Sequence, residues 1–190
     1  RREEDGIRRY VHLGTGNYND STAKLYTDIG LLTCTPSIGE DATAVFNMLS
    51  GYSEPLGWNR LSLAPLWLKD RFLFLIGREK ENALAGRGGH IFAKMNSLCD
   101  KDIIEALYEA GAAGVKIELI IRGICCLKTH LPGIGNHITV RSIVGNYLEH
   151  ARIFYCGSLI PPDRKSHGSP LSQASSPIQC CFPRQIWPSV

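Results

Sequence analysis

The stretch from His90 to Ile121, HIFAKMNSLCDKDIIEALYEAGAAGVKIELII, decides the fold. Residues 90–95 read as a strand. Asp100 is an N-cap residue for a helix in which Ile103, Ile104, Leu107 and Tyr108 form one apolar face. Gly111 and Gly114 punctuate its end, and Val115 to Ile121 is an apolar run broken only by Lys116 and Glu118. Strand, helix, strand at this spacing predicts a βαβ unit, hence a parallel sheet and an α/β fold.

Upstream, a second helix is expected over roughly 66–85, with Trp67, Leu68, Phe72, Leu75 and Ile76 inward. Gly51, Pro55, Gly57 and Pro65 make 50–65 a turn-rich link between two subdomains. Ala42, Val45, Phe46 and Leu49 recur at helical spacing over 41–49. Residues 7–13 have strand composition and end in the loop Gly14-Thr15-Gly16-Asn17-Tyr18-Asn19, after which Asp20 or Ser21 is expected to cap a short helix through Ala23, Lys24 and Leu25. Downstream, strands are expected near 138–144 and 151–155, and periodicity stops at Tyr155. The last 35 residues then hold prolines 161, 162, 170, 177, 183 and 188 and the single acidic residue Asp163. A disordered tail or a slipped reading frame accounts for that composition.

The 190 residues, 44% hydrophobic and 21% charged, are a globular composition and not a disordered one. A net charge of +3 fits an anionic substrate without requiring one. The longest apolar run, Phe72 to Ile76, is far short of the ~20 residues that cross a bilayer. The seven cysteines include no CxxC pair and no His/Cys metal spacing, so reduced thiols in a cytosolic compartment are expected. Arg1 opens the chain inside a charged stretch, which reads as a fragment lacking its beginning.

Three places offer chemistry. The glycine loop at 14–19 reads either as an anion-binding concavity or as an ordinary glycine-rich turn after a strand. Arg122 follows the strand 115–121, where ligands of open α/β sheets gather; it is either a phosphate fork or a surface residue closing the sheet edge. His150 in Leu148-Glu149-His150-Ala151-Arg152 precedes a strand, and His-x-basic is the skeleton of a phosphate-handling site, while a lone histidine there is otherwise structural. Cys125-Cys126 reads as buried packing, and His12 as support for the glycine loop.

Several strings together resemble class-one polyphosphate kinases: Tyr10-Val-His-Leu-Gly-Thr-Gly-Asn-Tyr-Asn19, Thr22-Ala-Lys-Leu-Tyr-Thr-Asp-Ile-Gly-Leu-Leu-Thr33, Ala93-Lys-Met-Asn-Ser-Leu98, Ile121-Arg-Gly-Ile-Cys-Cys-Leu127, Ser142-Ile-Val-Gly145 and Leu148-Glu-His150. The resemblance covers Arg1 to about Tyr155. It implies two phospholipase D-like domains with mixed or parallel sheets flanked by helices, both incomplete: 1–57 the C-terminal part of the first, 58–155 the N-terminal part of the second, and 156–190 a divergent tail.

The implied activity is reversible transfer of the ATP γ-phosphate to inorganic polyphosphate through a phosphohistidine, with Mg2+ assisting. The acceptor histidine, in a His-Ala-Lys motif, and the magnesium-contacting residues are expected upstream of Arg1, so no metal ligand is expected here and the fragment alone is expected to be inactive. Carried over by motif are Tyr26, Arg122 and His150 as ATP-binding residues, with Arg122 and His150 catalytic. ATP or ADP and polyphosphate are the implied partners, with no nucleic acid. A homo-oligomer, cytoplasmic and peripheral to the inner face of the membrane, is implied as well. Asn146 departs from the family, which often has a basic residue there. The alternatives are a non-catalytic remnant that binds ATP or polyphosphate, and a phospholipase D-like phosphodiesterase whose only His-x-basic motif is His150-Ala-Arg152.

Overall fold

A computed structural model of the chain describes residues 1–4, 6–16, 18–51, 53–132 and 134–157. The first half comprises β1 (Arg2–Glu3), β2 (Gly6–Ile7), β3 (Val11–Gly14), β4 (Tyr26–Thr27), β5 (Gly30–Thr33) and α1 (Pro36–Leu49). The second comprises α2 (Leu68–Leu84), β6 (His90–Met95), α3 (Lys101–Ala112), β7 (Lys116–Ile121), β8 (Ile138–Arg141), β9 (Leu148–Glu149) and β10 (Ile153–Gly157).

The second half is built on a four-stranded sheet ordered β10-β6-β7-β8. β6, β7 and β8 run parallel, with Ile91 opposite Ile117 and Leu119 opposite Val140. This is the expected βαβ unit, with α3 as the crossover. Along β7, Ile117, Leu119 and Ile121 are buried and alternate with Lys116, Glu118 and Ile120, so one sheet face is apolar. Ile76 of α2 and Leu107 of α3 join Ile91, Ile117, Leu119 and Ile138 in a single core. Burying each such side chain stabilises the fold by about 1.5–3 kcal/mol. Asp100 caps α3 as expected, its Oδ1 accepting from the Ile103 N–H at 3.1 Å. Lys69 of α2 reaches the same turn, 2.9 Å from Asp100 and 2.7 Å from Asp102.

β10 differs from its expectation in one respect. It runs antiparallel to β6, and Cys156 and Gly157 pair with Ile91 and His90. The regular structure thus extends two residues past Tyr155, because an edge strand is held by backbone pairing and not by side-chain pattern. Residues 158–190, the rest of the tail expectation, lie outside the described residues.

The first half departs further. The expected strand at 7–13 is divided between β2 and β3, and β3 pairs antiparallel with β5. Thr22, and neither Asp20 nor Ser21, stands at the N-cap of the 3-10 turn Ala23–Leu25, without a side-chain cap bond. Asn19 holds the preceding turn, its Oδ1 accepting from the Ser21 and Thr22 N–H groups at 3.0 and 3.1 Å. α1 starts at Pro36, earlier than expected, because proline's fixed φ suits a first helical turn. Phe46 and Leu49 of its apolar face are 70% and 72% exposed. Helical spacing sets which side chains share a face, but burial needs a second layer, and no described residue covers this one. No helix among the described residues is long and apolar enough to cross a membrane.

Asp41 instead anchors α1. Only 2% exposed, it accepts backbone N–H bonds from Asn59 (3.0 Å), Arg60 (2.6 Å) and Leu61 (2.8 Å), and one from Asn59 Nδ2 at 3.0 Å. Burial opposes the charge, but these donors outweigh it and hold the carboxyl below its usual range. Asp41→Ala leaves the three linker N–H groups unpaired and is expected to lower the unfolding free energy by about 1–3 kcal/mol at pH 7. As pH falls the unfolded chain takes up this proton first. The contribution is therefore lost as pH drops through the lowered folded value, and urea unfolding of the two proteins should converge in acid.

Candidate active site

Two parallel strand ends begin the site. The β6–β7 ladder continues past both strands: the Arg122 N–H bonds Met95 O at 3.1 Å, and the Gly123 N–H bonds Asn96 O at 2.8 Å. A Cβ on residue 123 would stand 3.0 Å from Asn96 O, so glycine permits the approach. Asn96 and Arg122 therefore emerge side by side at the carboxyl edge of the sheet, where α/β folds bind ligands.

The first half meets that edge through a two-residue parallel pairing, Tyr26 opposite Leu148 and Thr27 opposite Glu149, between β4 and β9. His150 follows directly. Its ring lies 4.8 Å from that of Tyr26, centroid to centroid and tilted by 59°. Asn96 Nδ2 is 3.2 Å from His150 Nδ1. Lys94, on β6, holds Glu149 at 2.7 Å, and Arg152 donates weakly to the His150 carbonyl at 3.3 Å.

The electrostatics are one-sided. Burial lowers the His150 pKa below the ordinary imidazole value, and the charges of Arg152, Arg122 and Lys94 lower it further, against the opposing pull of Asp28. Burial and the charge of Arg122 likewise depress the Arg152 guanidinium. Glu149 is held below the usual carboxylate range, first by its bond to Lys94. The result is a half-buried neutral imidazole among cations, flanked by an aromatic ring. Such a cluster suits an anion with spread charge, and phosphate above all.

The structure thus brings Tyr26 against His150, and Arg122 close enough for its charge to act there. Sequence reasoning missed Asn96, Lys94 and Asp28. The position of Asn96, first after a central strand, was the available signal, since the same position singled out Arg122. In the glycine loop Thr15 and Gly16 are packed against Asp28 and Ile29: a Cβ on Gly16 would stand 2.6 Å from the Asp28 carboxylate, and Thr15 Oγ1 accepts from the Ile29 N–H at 2.9 Å. His12 does support that loop, its Nδ1 2.9 Å from Tyr18 Oη. The buried packing expected of the cysteine pair fails for Cys126, which is exposed, while Cys125 is half-buried. The cause is position: both lie on the surface loop after β7. A mostly apolar cavity of about 280 Å³ lies beneath α2 and α3; Asn96 and Arg152 line it, whereas Tyr26, Arg122 and His150 do not. Among the described residues no group of three or more His, Cys, Asp or Glu is arranged to hold a metal ion.

A family model described as polyphosphate kinase C-terminal domain 2 matches residues 61–160, and one described as polyphosphate kinase C-terminal domain 1 matches residues 1–55. The chain belongs to the polyphosphate kinase family. It is 61% identical over 155 residues to the polyphosphate kinase of Halalkalibacterium halodurans, covering 82% of this chain and 22% of that protein. To that of Exiguobacterium sibiricum it is 57% identical with the same coverage of both. The chain therefore spans about a fifth of the length of the curated relatives it matches. The crystal structure of polyphosphate kinase from Porphyromonas gingivalis superposes with a TM-score of 0.73 at 41% identity, over 78% of this chain and 24% of that one. The mixed α/β architecture is that of polyphosphate kinase, a family of phospholipase D-like fold.

The charge balance at His150 gives a two-sided test. Arg122→Gln removes a cation and is expected to raise the His150 titration midpoint toward the ordinary imidazole value; Asp28→Asn removes the one opposing charge and is expected to lower it further. An NMR titration of the ring in each variant checks both signs.

Proposed function

We propose that this chain forms the nucleotide-phosphate side of a polyphosphate kinase site, which transfers the γ-phosphoryl group of ATP to inorganic polyphosphate, reversibly, through a phosphohistidine. The observation that carries the reading is the pair Arg122 and Arg152, without a carboxylate partner among the described residues, acting on a neutral His150 at the joint of the two halves. Family membership supplies the reaction class.

In the forward direction the bond between the γ-phosphorus and the ADP oxygen breaks as a phosphorus–nitrogen bond forms to the acceptor histidine. That bond then breaks in turn as the phosphorus joins a terminal polyphosphate oxygen. Negative charge is spread over the phosphoryl oxygens throughout, and fixed cations lower the barrier with no reorganisation. Arg122 and Arg152 supply that charge, Tyr26 packs against the nucleotide, and His150 hydrogen-bonds a phosphate oxygen. His150 lies in His-Ala-Arg and not in the His-Ala-Lys setting that the resemblance assigns to the acceptor, so it is not the phosphorylated residue in this reading. Magnesium accompanies the nucleotide, and none of the described residues is assigned to it.

The reading divides the chain into 1–57 and 58–155 as parts of two domains facing one nucleotide. By itself the chain binds ATP without turnover. Self-association, and residence in the cytoplasm at the inner membrane face, belong to the same proposal by family alone.

In a full-length polyphosphate kinase carrying these residues, Arg122→Ala is expected to lower kcat/KM for ATP by roughly 10²–10³-fold. Tyr26→Ala is expected chiefly to raise KM. Equal ATP affinity of the chain with and without the Arg122 guanidinium, by calorimetry, rules the reading out.

A further inference from the structure

We propose that Asn96 is a positioning residue that fixes His150 as its Nε2–H tautomer, so that the imidazole meets a phosphate oxygen as a hydrogen-bond donor and not as a nucleophile. This rests on the phosphate-handling reading of the cluster and states how His150 acts within it.

The argument starts from what each atom can do. With the amide oriented as in the structure, Asn96 Nδ2 faces His150 Nδ1 at 3.2 Å; an amide nitrogen only donates, so Nδ1 then presents a lone pair. A neutral imidazole carries one N–H, which then sits on Nε2. The ring is neutral because burial and the charges of Arg152, Arg122 and Lys94 disfavour the imidazolium. Of the two nearby carboxylates, Asp28 pulls the other way, while Glu149 is engaged by Lys94 at 2.7 Å. Attack on phosphorus needs a free nitrogen lone pair, and the only one on this ring is turned toward Asn96. What remains for a ligand is a donor.

The amide is held in place for the task. The Gly123 N–H bonds the Asn96 carbonyl at 2.8 Å, so the residue is fixed by the ladder that also positions Arg122. Among the described residues its buried Oδ1 has no partner, so the side chain bonds only His150. The unpaired oxygen costs about 1–3 kcal/mol, and the exchanged amide, with Oδ1 accepting from an Nδ1–H, is the alternative that the tautomer measurement tells apart.

The test is a long-range proton–nitrogen NMR correlation on the nitrogen-15-labelled 190-residue chain, with His150→Gln assigning the ring signals. The expected wild-type ring carries its proton on Nε2, with Nδ1 showing the shift of a nitrogen that accepts a hydrogen bond. Asn96→Ala moves the Nδ1 signal to its unbonded position. Asn96→Asp, nearly isosteric, turns the partner into an acceptor, switches the proton to Nδ1 and raises the titration midpoint by about one unit or more. A wild-type ring protonated on Nδ1, or an Nδ1 signal indifferent to both substitutions, overturns the proposal. Added tripolyphosphate separates this from the function it rests on. An Nε2–H ring that ignores tripolyphosphate leaves the role of Asn96 standing and removes the phosphate reading; a responsive ring protonated on Nδ1 does the reverse.

Discussion

The parallel pairing of β6 with β7 is the constraint on which the rest depends. A parallel pair cannot be closed by a hairpin, so it requires α3 as a crossover, and α3 brings the apolar face that builds the core. The same pairing sets both strands pointing one way, so their ends lie together. Because the ladder runs on through Arg122 and Gly123, the loops leave the sheet in register. Asn96 and Arg122 are neighbours for the same reason that Ile91 and Ile117 are: one register fixes all of them.

That geometry has an electrostatic consequence. Lys94 is paired with Glu149, whereas among the described residues neither Arg122 nor Arg152 has a carboxylate partner. Burial is the main cause that depresses His150 and Arg152, and the like charge of Arg122 adds to it in both, so the cluster works against folding. On the proposed reading, that cost is offset when an anion binds. The contrast with Asp41 is instructive, since there a buried charge is fully supplied with donors and the fold gains from it.

The parts of this structure legible in the sequence are those governed by period. β6, the cap at Asp100 and the apolar face of α3 followed from side-chain spacing, and the place of Arg122 followed from its position after a strand. Elements held by backbone alone were not legible. β4 and β9 have two residues each, too few for any alternation to show. Asn96 was hidden because its role depends on a residue 54 positions away, which only the fold brings near. Phe46 and Leu49 mark the opposite limit: their spacing is helical, yet spacing says nothing about whether a covering layer exists.

The joint between the halves is the least supported part of the site. Two residue pairs of parallel ladder and one tilted ring contact join Tyr26 to the segment carrying His150. An aromatic pair adds about 0.5–1.5 kcal/mol and a net hydrogen bond a similar amount, so the joint is weak beside the core of the second half. Few residues of the first half are buried to reinforce it, Gly39 and Asp41 among them. On the proposed reading, a nucleotide spanning Tyr26 and Arg122 would neutralise the guanidinium pair and add contacts across the place where the scaffold supplies few, so its binding would be thermodynamically linked to the docking of the halves.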